Sequence, residues 1–327
     1  MVSILLATYN GEPYISEQLD SLIGQTFKDF VIYICDDQST DSTLSIIQEY
    51  AAQYHKKIFV TQNGRNTGSP KHNFIKMMIE HKDDYIMLCD QDDVWLPDKI
   101  EKTLNKTREL ETTYGKTTPI LVHTDLRVVD ERLGHISGSV LKEVLSDCSK
   151  TSLNKKIVQN TVTGCTIMYN RALADMIQTE PEYMIMHDWW VLLIASAFGK
   201  IGTIYEPTVL YRQHENNEIG AKKKQSLGEY FFYKFSHCTE IAGAIHQTYL
   251  QAGSFIIEFD EKLSCEQKEL LAIYSSMPTL SRIRRFRTVL KYKIFRHGFV
   301  RKFTQFVILL IERRSKSIKC LVNSLEK

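Results

Sequence analysis

Three carboxylates in four residues stand where an apolar run stops. Asp90, Asp92 and Asp93, with Gln91 among them, follow Tyr85-Ile86-Met87-Leu88-Cys89 and precede Val94-Trp95. Like charges crowded at a strand end repel one another, and burying them is costly without a cation among them. Hard oxygen ligands in a small cluster suit Mg²⁺ or Mn²⁺, ions that keep several waters and also take phosphate oxygens. One reading is therefore a metal–diphosphate site; the other is a turn or helix cap, for which Asp is a common choice. A second carboxylate, Asp188, sits among His187, Trp189 and Trp190 in an otherwise apolar stretch. Apolar neighbours strip water from a carboxylate, a setting that suits a general base; a helix start is the competing role. His214, in Tyr211-Arg212-Gln213-His214, carries an imidazole whose plain reading is a loop histidine bonded to backbone.

The elements that must position these residues follow from periodicity. Val2 to Ala7 is a continuous apolar run, as in a strand buried on both faces, and it stops at Thr8-Tyr9-Asn10-Gly11. A helix is predicted from about Tyr14 to Ile23. Phe30 to Cys35 is a second strand, ending at Asp36-Asp37, with a helix starting near Asp41. Ile58 to Val60 is a third, ending before Arg65-Asn66-Thr67-Gly68; a helix follows over 71–81 and the Tyr85 run is the fourth strand. Another helix follows Pro97, and one runs from the Asp188 region to about Phe198. This β-α-β-α-β-α-β order with short connections predicts an α/β fold with a mostly parallel sheet flanked by helices. Ligands of such sheets bind at the carboxyl ends of the strands. Thr8-Tyr9-Asn10, Asp36-Asp37, Arg65-Asn66 and Asp90-Gln91-Asp92 all fall on that edge.

These clusters occur in a recognisable order: Thr8-Tyr9-Asn10, Asp36 to Thr43, Arg65 to Gly68 leading to Asn73-Phe74, Asp90 to Trp95, Thr163-Gly164-Cys165, His187 to Trp190 and Tyr211 to His214. The ordered set, spanning residues 1–220, resembles the family 2 glycosyltransferases of the GT-A fold. The Asp-Gln-Asp-Asp-Val-Trp, His-Asp-Trp-Trp and Tyr-Arg-Gln-His forms look most like the bacterial rhamnosyltransferase branch. The resemblance implies an inverting, metal-dependent transferase using a dTDP- or UDP-linked sugar, with dTDP-L-rhamnose the expected donor and a UDP-hexose the alternative. Thr8, Tyr9 and Asn10 would cradle the nucleotide, and Asp37 would accept the imide N–H of its base. Asp36 is equally a turn former, and Arg65 either a nucleotide contact or a solvated surface residue. Asp92 would be the principal metal ligand, completed by His214, with Asp90 and Gln91 on the donor side. Asp188 would be the base. Asp93, Gly164, Trp189 and Trp190 are possible acceptor or donor contacts; Asp93 could instead serve a turn, Gly164 a bulge, and the tryptophans the core. The Gln-x-x-Arg-Trp motif of the processive synthases is absent, so transfer in one or a few steps is expected. A metal-dependent phosphohydrolase and a non-catalytic nucleotide-sugar or glycan-binding scaffold are the rival classes.

Composition agrees. With 327 residues, 43% of them hydrophobic, the chain can bury a substantial core. Seven cysteines without a Cys-x-x-Cys pair exclude a disulfide framework and a zinc finger, which points to a reducing cytoplasm. The first strand begins at once, so no signal peptide is expected. Net charge is only +2, but of 41 Lys and Arg 14 lie in 281–327, against 2 of 39 Asp and Glu. That leaves 27 basic and 37 acidic residues in 1–280. The expected organisation is a catalytic domain over 1–220 and a helical region over 221–327, basic and amphipathic from about 281. Such a tail suits peripheral contact with an anionic membrane at the inner face of the cell membrane, as a polyprenyl-diphosphate-linked or glycan acceptor would require. A helix packed on the catalytic domain is the alternative. No nucleic-acid module is visible. Tyr230-Phe231-Phe232-Tyr233 could line the acceptor site or a homodimer interface, and Lys222-Lys223-Lys224 marks an expected exposed boundary.

Overall fold

The structure is a computed structural model and describes residues 1–139, 141, 149–214 and 238–311. The Lys222–Lys224 boundary, the Tyr230–Tyr233 cluster and the basic residues beyond 311 lie outside the described residues. The chain divides into two compact units. The first holds Met1–Ser149, Val162–Glu180 and Met186–Ala221; the second holds Lys150–Thr161, Pro181–Ile185 and Lys222–Lys327.

In the first unit, β1 (Val2–Thr8), β2 (Phe30–Asp36), β3 (Ile58–Gln62) and β4 (Tyr85–Cys89) alternate with α1 (Ile15–Ile23), α2 (Thr43–Gln53) and α3 (Pro70–Glu80). The strands pair in parallel in the order β3-β2-β1-β4. Every residue of β1 and β4 is buried, which is why both read as unbroken apolar runs. Helix α1 turns Ile15, Leu19 and Leu22 onto the sheet at helical spacing, and α3 opens with Pro70, whose missing N–H costs nothing at a helix start. The chain visits β2 and β3 on one side of β1 and then crosses to β4 on the other. This reversal opens a crevice at the carboxyl ends of β1 and β4, where ligands of doubly wound sheets bind.

Beyond β4 the sheet is mixed. Short β5 (Val94–Trp95) leads into α4 (Lys99–Tyr114), followed by β6 (Ile120–Val129), β7 (His135–Ser137), β8 (Ile167–Asn170), α5 (His187–Phe198) and the long β9 (Lys200–Arg212). Strand β8 runs antiparallel between β4 and β6, and β9 pairs in parallel with β6. Among the described residues, nine strands form one sheet with β5 at the far edge. The core joins Val2, Ile4 and Leu6 to Leu19, Ile32, Met87, Trp95, Leu104 and Met168. Cys35 and Cys89 are buried in their strands as expected.

The described part of the second unit is helical: α6 (Cys238–Phe259), α7 (Cys265–Ser275), α8 (Arg282–Lys291) and α9 (Phe299–Ile311). Ser264 and Gln267 form a capping box at the start of α7. Tyr249, Phe255, Leu271 and Tyr274 are buried between the helices, and the Tyr274 hydroxyl pairs with Thr248 at 2.7 Å. The two inserted segments are tied in by side chains: Asn154 donates to the Tyr292 carbonyl at 2.9 Å, and Gln251 accepts the Ile185 amide at 2.9 Å. Among the described residues no helix is long and apolar enough to cross a membrane.

Candidate active site

The loops at the ends of β1, β2 and β3 are stitched together by side chains. Asp36 is fully buried; it accepts from the Thr8 hydroxyl at 3.1 Å, the Ser39 amide at 2.9 Å and Gln62 at 3.0 Å. It therefore serves the turn. Asp37 points the other way, into the loop after β3. It accepts from Asn63 Nδ2 at 2.7 Å, from the Thr67 hydroxyl at 2.7 Å and from the Thr67 amide at 3.0 Å. Asn63 in turn donates to Asn73 on α3 at 3.2 Å. Asn10 takes a positive φ of 48°, which turns its side-chain oxygen onto the Thr40 amide at 2.8 Å. Tyr9 and Arg65 are exposed at this edge.

Gln91 has a role that its place in the motif does not disclose. Its amide bonds the Tyr9 backbone in both directions, accepting from N–H at 2.7 Å and donating to C=O at 2.9 Å. This clamp joins the β1 and β4 loops across the crevice. A Cβ on Gly11 would meet the Gln91 amide at 2.5 Å, so the glycine leaves room for the clamp.

Asp92, Arg212 and His214 converge through β5 and β9. Val94 pairs antiparallel with Leu210, so Asp92 and Arg212 stand opposite each other two residues further on. There His214 Nε2 lies 2.8 Å from Asp92 Oδ2, although the residues are 122 apart in sequence. His214 stacks on Tyr14 with ring centroids 4.7 Å apart. Arg212, only 2% exposed, donates its Nε to the Asp92 carbonyl at 2.8 Å and its amide to Asp93 Oδ1 at 3.1 Å. Its fork also reaches Glu17 and the Glu131 carbonyl. Arg212 thus fixes the backbone beneath Asp92, a role that sequence reading, which singled out only His214 in the Tyr-Arg-Gln-His motif, did not give it. Its adjacency to His214 was the available signal.

Two donor sets compete for a cation. Asp90, Asp93 and Cys165 offer ligand atoms within 4.8 Å of one another. Asp93 is fully buried; burial first, and then Asp92 and Asp90, push its carboxyl well above the usual range. Burial likewise raises the Cys165 thiol, with Asp93 adding to it. A thiol is a poor ligand for a hard cation. Asp92 and His214 keep 15% and 7% of their side chains exposed and form a carboxylate–imidazole pair, the better fit to Mn²⁺. Asp93, buried and bonded to the Arg212 amide, agrees with the turn alternative of its two readings.

Asp188 lies in the first turn of α5 and is 8% exposed. The N-cap is Met186, so Asp188 is not the cap; its Oδ1 accepts the Trp189 amide at 2.6 Å. Trp190 is 1% exposed and belongs to the core, the alternative named for both tryptophans, whereas Trp189 is half-buried. Gly164 makes room for His187: a Cβ there would come within 3.0 Å of His187 Nε2. His187 stacks on Phe74 at 4.1 Å, and neither ring nitrogen has a hydrogen-bond partner. Burial keeps this imidazole neutral, lowering its pKa to about 3. Between pH 6.5 and 3 the unfolded chain binds a proton that the native state refuses, so stability falls as pH falls. His187→Phe keeps the stack and removes that proton. Denaturation midpoints at pH 7 and pH 5 should show a loss of about 2 kcal/mol in the wild type that is absent from the variant.

Known proteins were compared with this chain. The model of glycosyl transferase family 2 matches residues 3–177. The dTDP-rhamnosyl transferase RfbG of Shigella flexneri is 29% identical over 227 residues, covering 66% of this chain and 74% of that one. Among solved structures, S. aureus TarS 1-349 in complex with UDP superposes with a TM-score of 0.54 at 18% identity, covering 87% of this chain and 74% of that one. The mannosyltransferase PcManGT of Pyrobaculum calidifontis, in complex with GDP-Man and Mn²⁺, gives 0.51 at 13% identity, covering 94% and 84%. Both structures share the mixed α/β fold, and the family match spans more than half of this chain. With its crevice at the β1–β4 reversal and its carboxylates along that edge, the chain belongs to glycosyl transferase family 2.

Proposed function

We propose that this glycosyltransferase moves L-rhamnose from dTDP-L-rhamnose, with inversion, onto a lipid-linked or growing cell-surface polysaccharide. The observation that carries the reading is the Asp92–His214 pair set beside Asp90 at the crevice edge, opposite the Thr8–Asn10 loop. The relative RfbG supports the choice of donor. The carboxylate oxygens of Asp37 are acceptors, which suits the imide N–H of thymine or uracil. Asp92 and His214 would hold Mn²⁺ or Mg²⁺, which when bound neutralises the departing diphosphate. Arg212 and Gln91 hold the loops that carry Asp92 and Tyr9 at fixed spacing, so little reorganisation is needed as charge develops. Asp188 takes the proton of the acceptor hydroxyl as that oxygen attacks the anomeric carbon.

Thermal shift and nucleotide release across a panel of nucleotide sugars, with and without Mn²⁺, test the reading. A ligand that binds only the native state raises apparent stability by mass action. A metal-dependent shift and slow dTDP release with dTDP-L-rhamnose are expected. A larger shift with a UDP-hexose keeps the transferase and replaces the donor; no shift with any nucleotide sugar overturns the mechanism.

A further inference from the structure

Helices α8 and α9 of the second unit each expose an apolar stripe. On α8, Ile283, Phe286 and Leu290 lie at i, i+3 and i+7, one face of a helix. On α9, Phe299, Phe303, Phe306 and Leu310 lie at i, i+4, i+7 and i+11. Phe286 and Phe306 touch, with ring centroids 5.2 Å apart, so the two stripes meet. They are unusually wet for such side chains: Ile283 is 68% exposed, Phe299 80% and Leu310 56%. Single exposed apolar residues need no explanation, but a contiguous patch does.

The charges carried by this stretch are of one sign, although Glu269 of α7 pairs with Lys291 at 3.4 Å. Between Arg282 and Ile311 there are nine Lys and Arg and no Asp or Glu. Helical spacing places exposed Arg282 on one side of the α8 stripe and exposed Arg287 on the other, and exposed Lys302 beside the α9 stripe. Arg285, on the opposite face, is buried and bonded to the Met277 and Pro278 carbonyls at 2.9 and 2.7 Å. The arginine that faces inward is therefore satisfied by backbone, while those beside the patch point to solvent. We propose that the α8–α9 face docks on an anionic lipid surface, with Ile283, Phe286, Phe299, Phe303 and Leu310 entering the headgroup–acyl boundary and Arg282, Arg287 and Lys302 meeting the lipid phosphates. Aromatic and aliphatic residues on one face with Lys and Arg beside them are what an interfacial helix needs, and the charges add selectivity for acidic headgroups. The surface goes beyond the transfer reaction and does not depend on which sugar is moved.

Co-sedimentation of the full chain with vesicles tests this. Pure phosphatidylcholine is compared with an equimolar phosphatidylcholine–phosphatidylglycerol mixture at low and high salt. The wild type should bind the mixed vesicles and release with salt. Phe299→Ser combined with Phe303→Ser should weaken binding by at least about tenfold, and Arg282→Glu with Arg287→Glu should remove the preference for the anionic mixture. These side chains are exposed, so circular dichroism and nucleotide release by the variants should match the wild type. Failure of the wild type to bind mixed vesicles at low salt overturns the proposal. So does undiminished binding by the Phe299/Phe303 variant. A concentration-dependent dimer that this variant dissociates, without vesicle binding by either protein, overturns it in favour of a second copy as the occupant.

Discussion

Replacing Asp188 with Asn should lower turnover by about 10²- to 10⁴-fold while leaving donor binding within about twofold of wild type. The amide keeps the side chain's shape and can still accept the Trp189 N–H, now made at 2.6 Å. It cannot take a proton from an acceptor hydroxyl. A helix-stabilising role predicts the opposite pattern: a change in melting temperature from losing a negative charge in the first turn, with little loss of rate. Single-turnover kinetics beside thermal melts separates the two. Unchanged kcat in a variant with lowered stability would assign Asp188 to the helix alone.

The second large effect is at Asp92. Asp92→Ala should remove the metal-dependent part of donor binding and cost about 10²-fold or more in turnover, because nothing else in the pair can replace its carboxylate. His214→Ala should weaken Mn²⁺ binding by about 10- to 100-fold. Since the two side chains meet at 2.8 Å, the double variant should be little worse than Asp92→Ala alone, as expected for groups acting as a unit. Asp93→Asn distinguishes the two donor sets. Asn retains an oxygen for the Arg212 amide and removes a buried ionisable group, so Mn²⁺ affinity should persist and the melting temperature should not fall. Loss of Mn²⁺ binding in Asp93→Asn, with Asp92→Ala unaffected, would move the metal to the Asp90–Asp93–Cys165 group.

What the sequence by itself determined is local. Unbroken apolar runs ending in Thr8 and Asp90 specify strands buried on both faces, and the run ending in Asp36 one partly open on one face, all with polar carboxyl ends, because each strand must leave the core where its polar residues begin. The ordered polar clusters then mark one sheet edge, and the isolated Asp188 in an apolar helix marks a place where a carboxylate needs a reason to be. The resemblance already set His214 with Asp92, but composition and periodicity do not say which distant residues meet, and the tertiary structure supplies the reason. His214 reaches Asp92 because β5 pairs antiparallel with β9 in one register, and no periodicity in either segment encodes that partner. The same pairing recruits Arg212 beneath the site, and the β1–β4 neighbourhood recruits Gln91 as a clamp. Burial too was settled by packing: adjacent Trp189 and Trp190, or Asp92 and Asp93, have the same chemistry in sequence, but one of each pair faces the core. Successive side chains point in different directions from the same backbone, and only the assembled neighbours fix which direction is inside.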